Sequence, residues 1–370
     1  MKQKELKLRE GVDSSEDSKY SIEDILNKAE QFVEEYNYDM AQKFLQRALE
    51  INSDHPRALE MTASLLLEAG QVEQAKQCLG RAITVLPNQG HAKYFSLAQL
   101  FSGQESLDVY KQGILILQDM LPQLDQESSE AKESRKELSN SFCSVAELYM
   151  TDLCDNDEAE AECSRCVEKA TEIDPNNPEA WQTRARLHLI KSEFKEAKDT
   201  LNKSLELWLP AYMAVIENKP QEASNFDPIE VCPLIYTTRL STARMLIELE
   251  EWEKAVNVLD GLTEEDDEIV DPWYLLGWLN KVRAESEKED VYQGNARYFL
   301  TKAKEVHQKN PTKDKGMINH IKDLLNELGP ETEMDSVKNR DEDENDWEEI
   351  VSDEDSDDQN GENGSSMEQT

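Results

Sequence analysis

The chain has 370 residues, with 79 acidic against 40 basic and a net charge of -39, enough length to bury a substantial apolar core. A field of that sign repels nucleic-acid phosphates and anionic lipid and attracts cations, which disfavours direct DNA, RNA or membrane-surface roles and favours a basic protein partner. The opening MKQKELKLRE is charged, and apolar runs such as Ile114 to Leu117 are far too short to span a bilayer.

Residues 1–20 read as a flexible N-terminal segment, and from 21 to 330 the sequence repeats with a period of roughly 34 residues. The pattern is a first helix with W-x2-L-G-x2-Y spacing and a second with A-x3-F-x2-A, the signature of the tetratricopeptide repeat (TPR). The first unit, near 22–55, carries Ala29 and Phe32, then Ala41, Leu45 and Ala48. Pro56 opens the second, near 56–89, with Leu59, Ala63, Leu66, Ala75, Leu79, Ala82 and Pro87. A fainter third, near 91–124, has Tyr94, Ala98 and Phe101, then Ile114 and Leu117. The fourth, near 139–177, runs through Ala146, Tyr149, Cys163, Val167 and Ala170, with about five extra residues around Asp152 to Asn156. The fifth, near 178–209, is the clearest: Trp181, Ala185 and His188, then Ala197, Leu201 and Ser204.

The proline-rich stretch 210–233 reads as an insertion, part loop and part lengthened helix. Units near 236–269 (Ala243, Leu246, Ala255, Leu259) and 270–311 follow. The latter opens Trp273-Tyr-Leu-Leu276-Gly277-Trp278, has an insertion around Glu285 to Gln293, and continues with Ala296, Leu300 and Ala303. A helix over 313–328 is expected to cap the open apolar end. The expected fold is thus all-α, a right-handed TPR superhelical solenoid of about seven helix-turn-helix repeats. Residues 331–370 hold 17 acidic and 2 basic residues and few apolar ones, among them Trp347, Ile350 and Val351. Such a segment buries too little to offset its ordering entropy and reads as a disordered acidic tail. Its net of -15 leaves -24 for the rest, so the solenoid is acidic in its own right.

The cysteines (Cys78, Cys143, Cys154, Cys163, Cys166, Cys232) are scattered through helical segments, which suits free thiols in the cytoplasm and nucleus. Cys163-x-x-Cys166 lacks a second ligand pair for zinc, and Cys163 takes the small-residue position that Ala75 and Ala197 hold elsewhere, so packing is the better reading. The histidines (His55, His91, His188, His307, His320) lie on different repeats, and no P-loop, dinucleotide fingerprint or HExxH is present. The expectation is a protein without enzymatic activity, cofactor or metal, and a monomer.

The working surface of such an array is its concave face, lined by the first helices. Counting from the packing positions, Glu23, Glu30, Glu34, Glu60, Glu68, Glu147, Glu179, Glu248 and Asp271 point there, with Tyr274 and Trp278 from the last repeat. Arg57, Arg186 and Arg244 interrupt the pattern. Any single glutamate is an ordinary solvated residue. Together, with Trp278 beside them, they suit a Lys/Arg-rich peptide through ion pairing and cation–π contact. In the tail, Trp347 is a candidate contact, and Ser352 before acidic residues resembles an acidophilic kinase site.

The TPR body, the late W-Y-L-L-G-W repeat at Trp273 to Trp278 and the acidic tail with its embedded Trp347 make the chain resemble the dedicated assembly chaperones of large-subunit ribosomal protein L-four. The resemblance extends over essentially the whole chain. It implies capture of the long basic internal loop of the newly made ribosomal protein, which is kept soluble and escorted to the nucleus for pre-ribosome assembly. Two other readings are weighed. A heat-shock co-chaperone clamp needs Lys, Asn and Arg inside the groove, where this chain has Leu26, Glu30, Glu60 and Ser64. A general scaffold or acidic histone-type chaperone is not excluded by charge.

Overall fold

The computed structural model describes residues 20–217 and 231–329. The segment before Tyr20, the interior of the expected insertion and the acidic tail with Trp347 and Ser352 lie outside the described residues. Among those described, every regular element is helical: sixteen α-helices and one 3-10 turn. They divide into two compact units, one ending at Glu265 and one starting at Asp266.

The first unit is built of helix pairs. These are α1 (Ile22–Glu34) with α2 (Tyr38–Ile51), α3 (Pro56–Glu68) with α4 (Val72–Val85), and α5 (Ala92–Ala98) with α6 (Gly103–Met120). After the 3-10 turn Leu121–Gln123 come α7 (Ser129–Met150) with α8 (Ala159–Ile173) and α9 (Pro178–Ile190) with α10 (Phe194–Glu206). A single helix, α11 (Leu209–Glu217), precedes α12 (Tyr236–Glu248) with α13 (Trp252–Glu265). Small residues at the crossings let the helices close: Ala29, Ala41, Ala48, Ala58, Ala75, Ala82, Ala197 and Ala255 are fully buried.

Local chemistry fixes where these helices start and stop. Ser21 caps α1 in a capping box: Asp24 N–H donates to its hydroxyl, and the Asp24 carboxylate accepts from Ser21 N–H at 3.0 Å. Pro56 and Pro178 occupy first-turn positions, where a missing N–H breaks no helical bond. The turns within four pairs share one geometry. Tyr36, Gly70, Ser192 and Glu250 take left-handed φ of 56–71°, and the next residue's N–H returns to the carbonyl five positions back: Asn37 to Phe32, Gln71 to Leu66, Glu193 to His188 and Glu251 to Leu246. This is the Schellman closure, which satisfies carbonyls that the helix end leaves open.

Two elements differ from the sequence reading. The fourth pair begins at Ser129 rather than near 139, because Ser128 caps the longer helix by accepting from Ala131 N–H at 3.1 Å, and Ala131, Ser134 and Leu138 are buried. The start of the expected insertion is a separate docked helix, not a lengthened one. Trp208 and Tyr212 are fully buried, and the Tyr212 ring seats on Gly261 of α13, where an added Cβ would lie 2.4 Å from it. Arg239 of α12 is buried against it, donating to Tyr212 Oη at 2.9 Å and to Glu265 at 2.6 and 3.0 Å.

The second unit comprises α14 (Val270–Glu287), α15 (Asp290–Lys309) and α16 (Lys315–Leu328). Its core joins Val270, Leu300, Ala303 and Val306 to Met317, Ile321 and Leu324 of α16. Gly277 admits Leu300, since a Cβ there would sit 2.6 Å from Leu300 Cγ. Asp314 caps α16 by accepting from Met317 N–H at 3.0 Å.

Candidate protein-binding face

In the first unit a row of polar side chains connects the first helix of each pair to the next. From α3, the Arg57 guanidinium donates to Glu23 (2.8 Å), Asn27 (3.0 Å) and Glu30 (2.9 Å), all on α1. At the start of α5, Lys93 is buried and donates to the carbonyls of Leu86 and Gln89 at 2.7 and 2.6 Å, with Glu60 3.9 Å away. Burial pulls the Lys93 ammonium down and lifts the Glu60 carboxyl, each opposed by the other's charge. His91 meets Glu137 of α7 at 2.7 Å.

Asn177, capping α9, reaches back to Ser139 (2.8 Å) and Asn140 (2.6 Å) on α7. Arg186 spans three helices, donating to Glu147 of α7 at 2.5 Å and to Ser241 of α12 at 3.1 Å. Gln182 donates to the Thr238 carbonyl and accepts from Thr242. The first helices of all six pairs are thus linked by hydrogen bonds and ion pairs in addition to the apolar packing beneath them.

The sequence-derived residues fall into three settings. Glu23, Glu30 and Glu147 belong to this row and are held by Arg57 and Arg186. Glu60 and Glu179 are half-buried within it. Burial lifts the Glu179 carboxyl, the charge of Glu147 adds to the rise, and Lys136 and Arg186 oppose it. Glu34, Glu68 and Glu248 are exposed and hold no ion pair among the described residues. All three lie two residues before a left-handed turn residue, and Glu68 borders a groove between the second helices α2 and α4. The row and these helix-end acids are therefore distinct groups.

In the second unit Asp271, Tyr274 and Trp278 are half-buried. Tyr274 and Trp278 pack against the core that α16 completes, and the Tyr274 hydroxyl bonds His320 Nδ1 at 2.8 Å. Sequence counting did not single out Lys93, Asn177, Gln182 or Thr242. The available signal for such residues was a cation or amide one repeat after acids on the preceding first helix, as Arg57 follows Glu23 and Glu30.

Cys163 and Cys166 are buried, and burial pushes their thiols to about 12 and about 11, so they stay protonated. Among the described residues no group of three or more His, Cys, Asp or Glu side chains is placed to hold a metal, and no helix is long and apolar enough to cross a membrane.

Residues 32–100 and 166–199 each match a tetratricopeptide repeat family, in keeping with the repeat spacing and the helix pairs. The chain is 33% identical over 283 residues to a Schizosaccharomyces pombe protein described as "Probable assembly chaperone of rpl4", covering 73% of this chain and 79% of that one. It is 26% identical over 354 residues to an Emericella nidulans protein of the same description, covering 86% and 85%. Among solved structures, "Assembly Chaperone of RpL4 (Acl4) (Residues 1-338)" superposes with a TM-score of 0.61 at 28% identity, over 74% of this chain and all of that one.

Proposed function

The chain belongs to the family of TPR-repeat assembly chaperones of rpl4, and from that premise we propose that it binds newly made ribosomal protein L-four, keeps it soluble and delivers it to pre-ribosomes for large-subunit assembly. The client's long basic loop lies along the first-helix face, where its lysines and arginines meet Glu23, Glu30, Glu60, Glu147 and Glu179. The observation that carries this reading is the row of half-buried and exposed carboxylates on the first helices α1, α3, α7 and α9 of a body whose own net charge is -24. Before RNA neutralises such a loop it needs another polyanion, and this face supplies one. The protein acts by binding rather than catalysis, as a monomer, in the cytoplasm and the nucleus, and ribosomal RNA displaces it from the client.

The heat-shock clamp is not favoured. Leu26 is buried, Glu30 is engaged by Arg57, and the Ser64 hydroxyl is turned onto the Glu60 carbonyl, so these positions offer no cation to a terminal carboxylate.

The test is titration of the full chain with purified rpl4 and with a loop-deleted form. Loop deletion is expected to weaken binding, and intact rpl4 to lose affinity steeply between about 50 and about 200 mM salt, as for any multiply charged contact. Equal binding of both forms, or indifference to salt, overturns the loop-capture mechanism.

A further inference from the structure

A second surface lies on the opposite kind of helix. Between α2 and α4, with α3 beneath, runs an open groove of about 800 Å³. Leu45, Leu49, Leu65 and Leu66 form its apolar floor, and Leu45 is buried while the other three are partly covered. Gln42 and Gln46 of α2 and Gln74 and Gln77 of α4 line its sides, with Gln71 at one end. Asp39, Glu50 and Glu68 border it, and no lysine or arginine lines it. Arg47 pairs with Glu50 at 2.9 Å. Asp39 and Glu68 hold no ion pair among the described residues. The contrast with the first-helix face is direct: there Arg57 and Arg186 already satisfy carboxylates, and here two are left to solvent.

We infer that this groove binds a short extended segment of a partner protein in which apolar residues alternate with lysine or arginine. Three features choose that occupant. Leucines on the floor ask for apolar side chains on one face of the incoming chain. Unmatched carboxylates on the border ask for cations beside them. The amides decide the backbone conformation: each carries both donor and acceptor, and Gln42, Gln71, Gln74 and Gln77 make no side-chain hydrogen bond among the described residues. A helix satisfies its own backbone, whereas an extended chain brings unpaired N–H and C=O groups that such amides complete. The groove's length agrees: Tyr38 to Glu50 spans about 18 Å along α2, room for about five or six residues of an extended strand. The inference is independent of the client proposed above, since it concerns other residues than the first-helix carboxylates assigned to that client.

The test uses the full chain and an end-blocked, fluorescent hexapeptide alternating leucine and lysine, read by polarisation. Controls are a leucine–glutamate hexapeptide and a serine–lysine hexapeptide. The leucine–lysine peptide is expected to bind at least about tenfold more tightly than either control, a difference of about 1.4 kcal/mol. Asp39 and Gln74 are exposed, so the double variant Asp39→Lys/Gln74→Lys is expected to keep the wild-type melting curve and to lose about tenfold in affinity. The double variant Glu147→Gln/Glu179→Gln on the first-helix face is expected to leave peptide binding unchanged. Equal binding of the serine–lysine peptide overturns the inference, because charge alone then suffices. So does loss of binding in the first-helix variant instead of the groove variant. Tighter binding after deletion of residues 1–19 also overturns it, by identifying the groove's occupant as the chain's own N-terminal segment.

Discussion

The two units close an open helix face with opposite chemistry. In the first unit, the first helices are joined across pairs by Arg57 and Arg186, which remain partly in water, and by the buried amides of Asn177 and Gln182. In the second, α14 presents Tyr274 and Trp278, and α16 covers them with Met317, Ile321 and Leu324. An apolar seal excludes competitors, whereas an ion pair at the surface exchanges partners. Glu23 and Glu30 keep more than half their side-chain surface exposed even while bonded to Arg57. A cationic chain therefore finds more accessible contacts on the polar row than on the half-buried aromatics, although Trp278 is the more conspicuous residue in the sequence.

The strongest challenge to this contrast is Ile321→Ala in α16. Removing a fully buried isoleucine is expected to destabilise by about 2–5 kcal/mol, read from denaturant unfolding, with faster hydrogen exchange across α14–α16. A loss below about 1 kcal/mol would mean that α16 is not the seal its packing indicates. A smaller effect is expected from Arg57→Gln, because exposed ion pairs contribute about 0–1 kcal/mol. Its consequence for binding has the opposite sign: freeing Glu23 and Glu30 is expected to tighten binding of the basic rpl4 loop. Arg81→Gln is the control for net charge alone, since Arg81 pairs with Asp54 away from the row at 2.6 Å. If both variants tighten binding equally, the row has no local role.

The spacing of alanines and leucines made the helical fold legible, because Ala29, Ala41 and Ala48 pack at crossings whose geometry the sequence period dictates. The long α7 was harder to see: its first turns, Ser129 to Glu137, are rich in Lys and Glu and look like solvent-facing loop, and the Ser128 cap and the buried Ala131 and Ser134 mark them as helix. The docking of α11 was not readable at all, since it depends on the absent side chain of Gly261 meeting Tyr212 across many intervening residues. For the binding face, helix counting gave the residues on first helices but not their partners. It grouped Glu68 with Glu30, while one borders the second-helix groove and the other is clamped by an arginine of the next repeat. Pairing of that kind depends on where long side chains extend between repeats, which periodicity within one helix does not encode.

The smallest effect separates what the polar row gains from what burial takes away. Glu179 is half-buried in the row, and burial outweighs Lys136 and Arg186 in lifting its carboxyl above the ordinary 4.5. Between the unfolded value and the raised folded one, the folded state holds more protons than the unfolded state. Stability therefore falls as pH rises through that window, and above it the ionised carboxylate remains a constant penalty. Glu179→Gln removes the ionisation, so the variant is expected to melt slightly above wild type at neutral pH, with the gap closing as pH falls below the ordinary glutamate range. Melting curves from about pH 4 to about pH 7 read this directly. A variant less stable than wild type at neutral pH would reverse the ranking, showing that Arg186 and Lys136 hold the carboxylate more strongly than burial penalises it. Glu179 would then be a strut of the row like Glu147, already engaged before any client arrives.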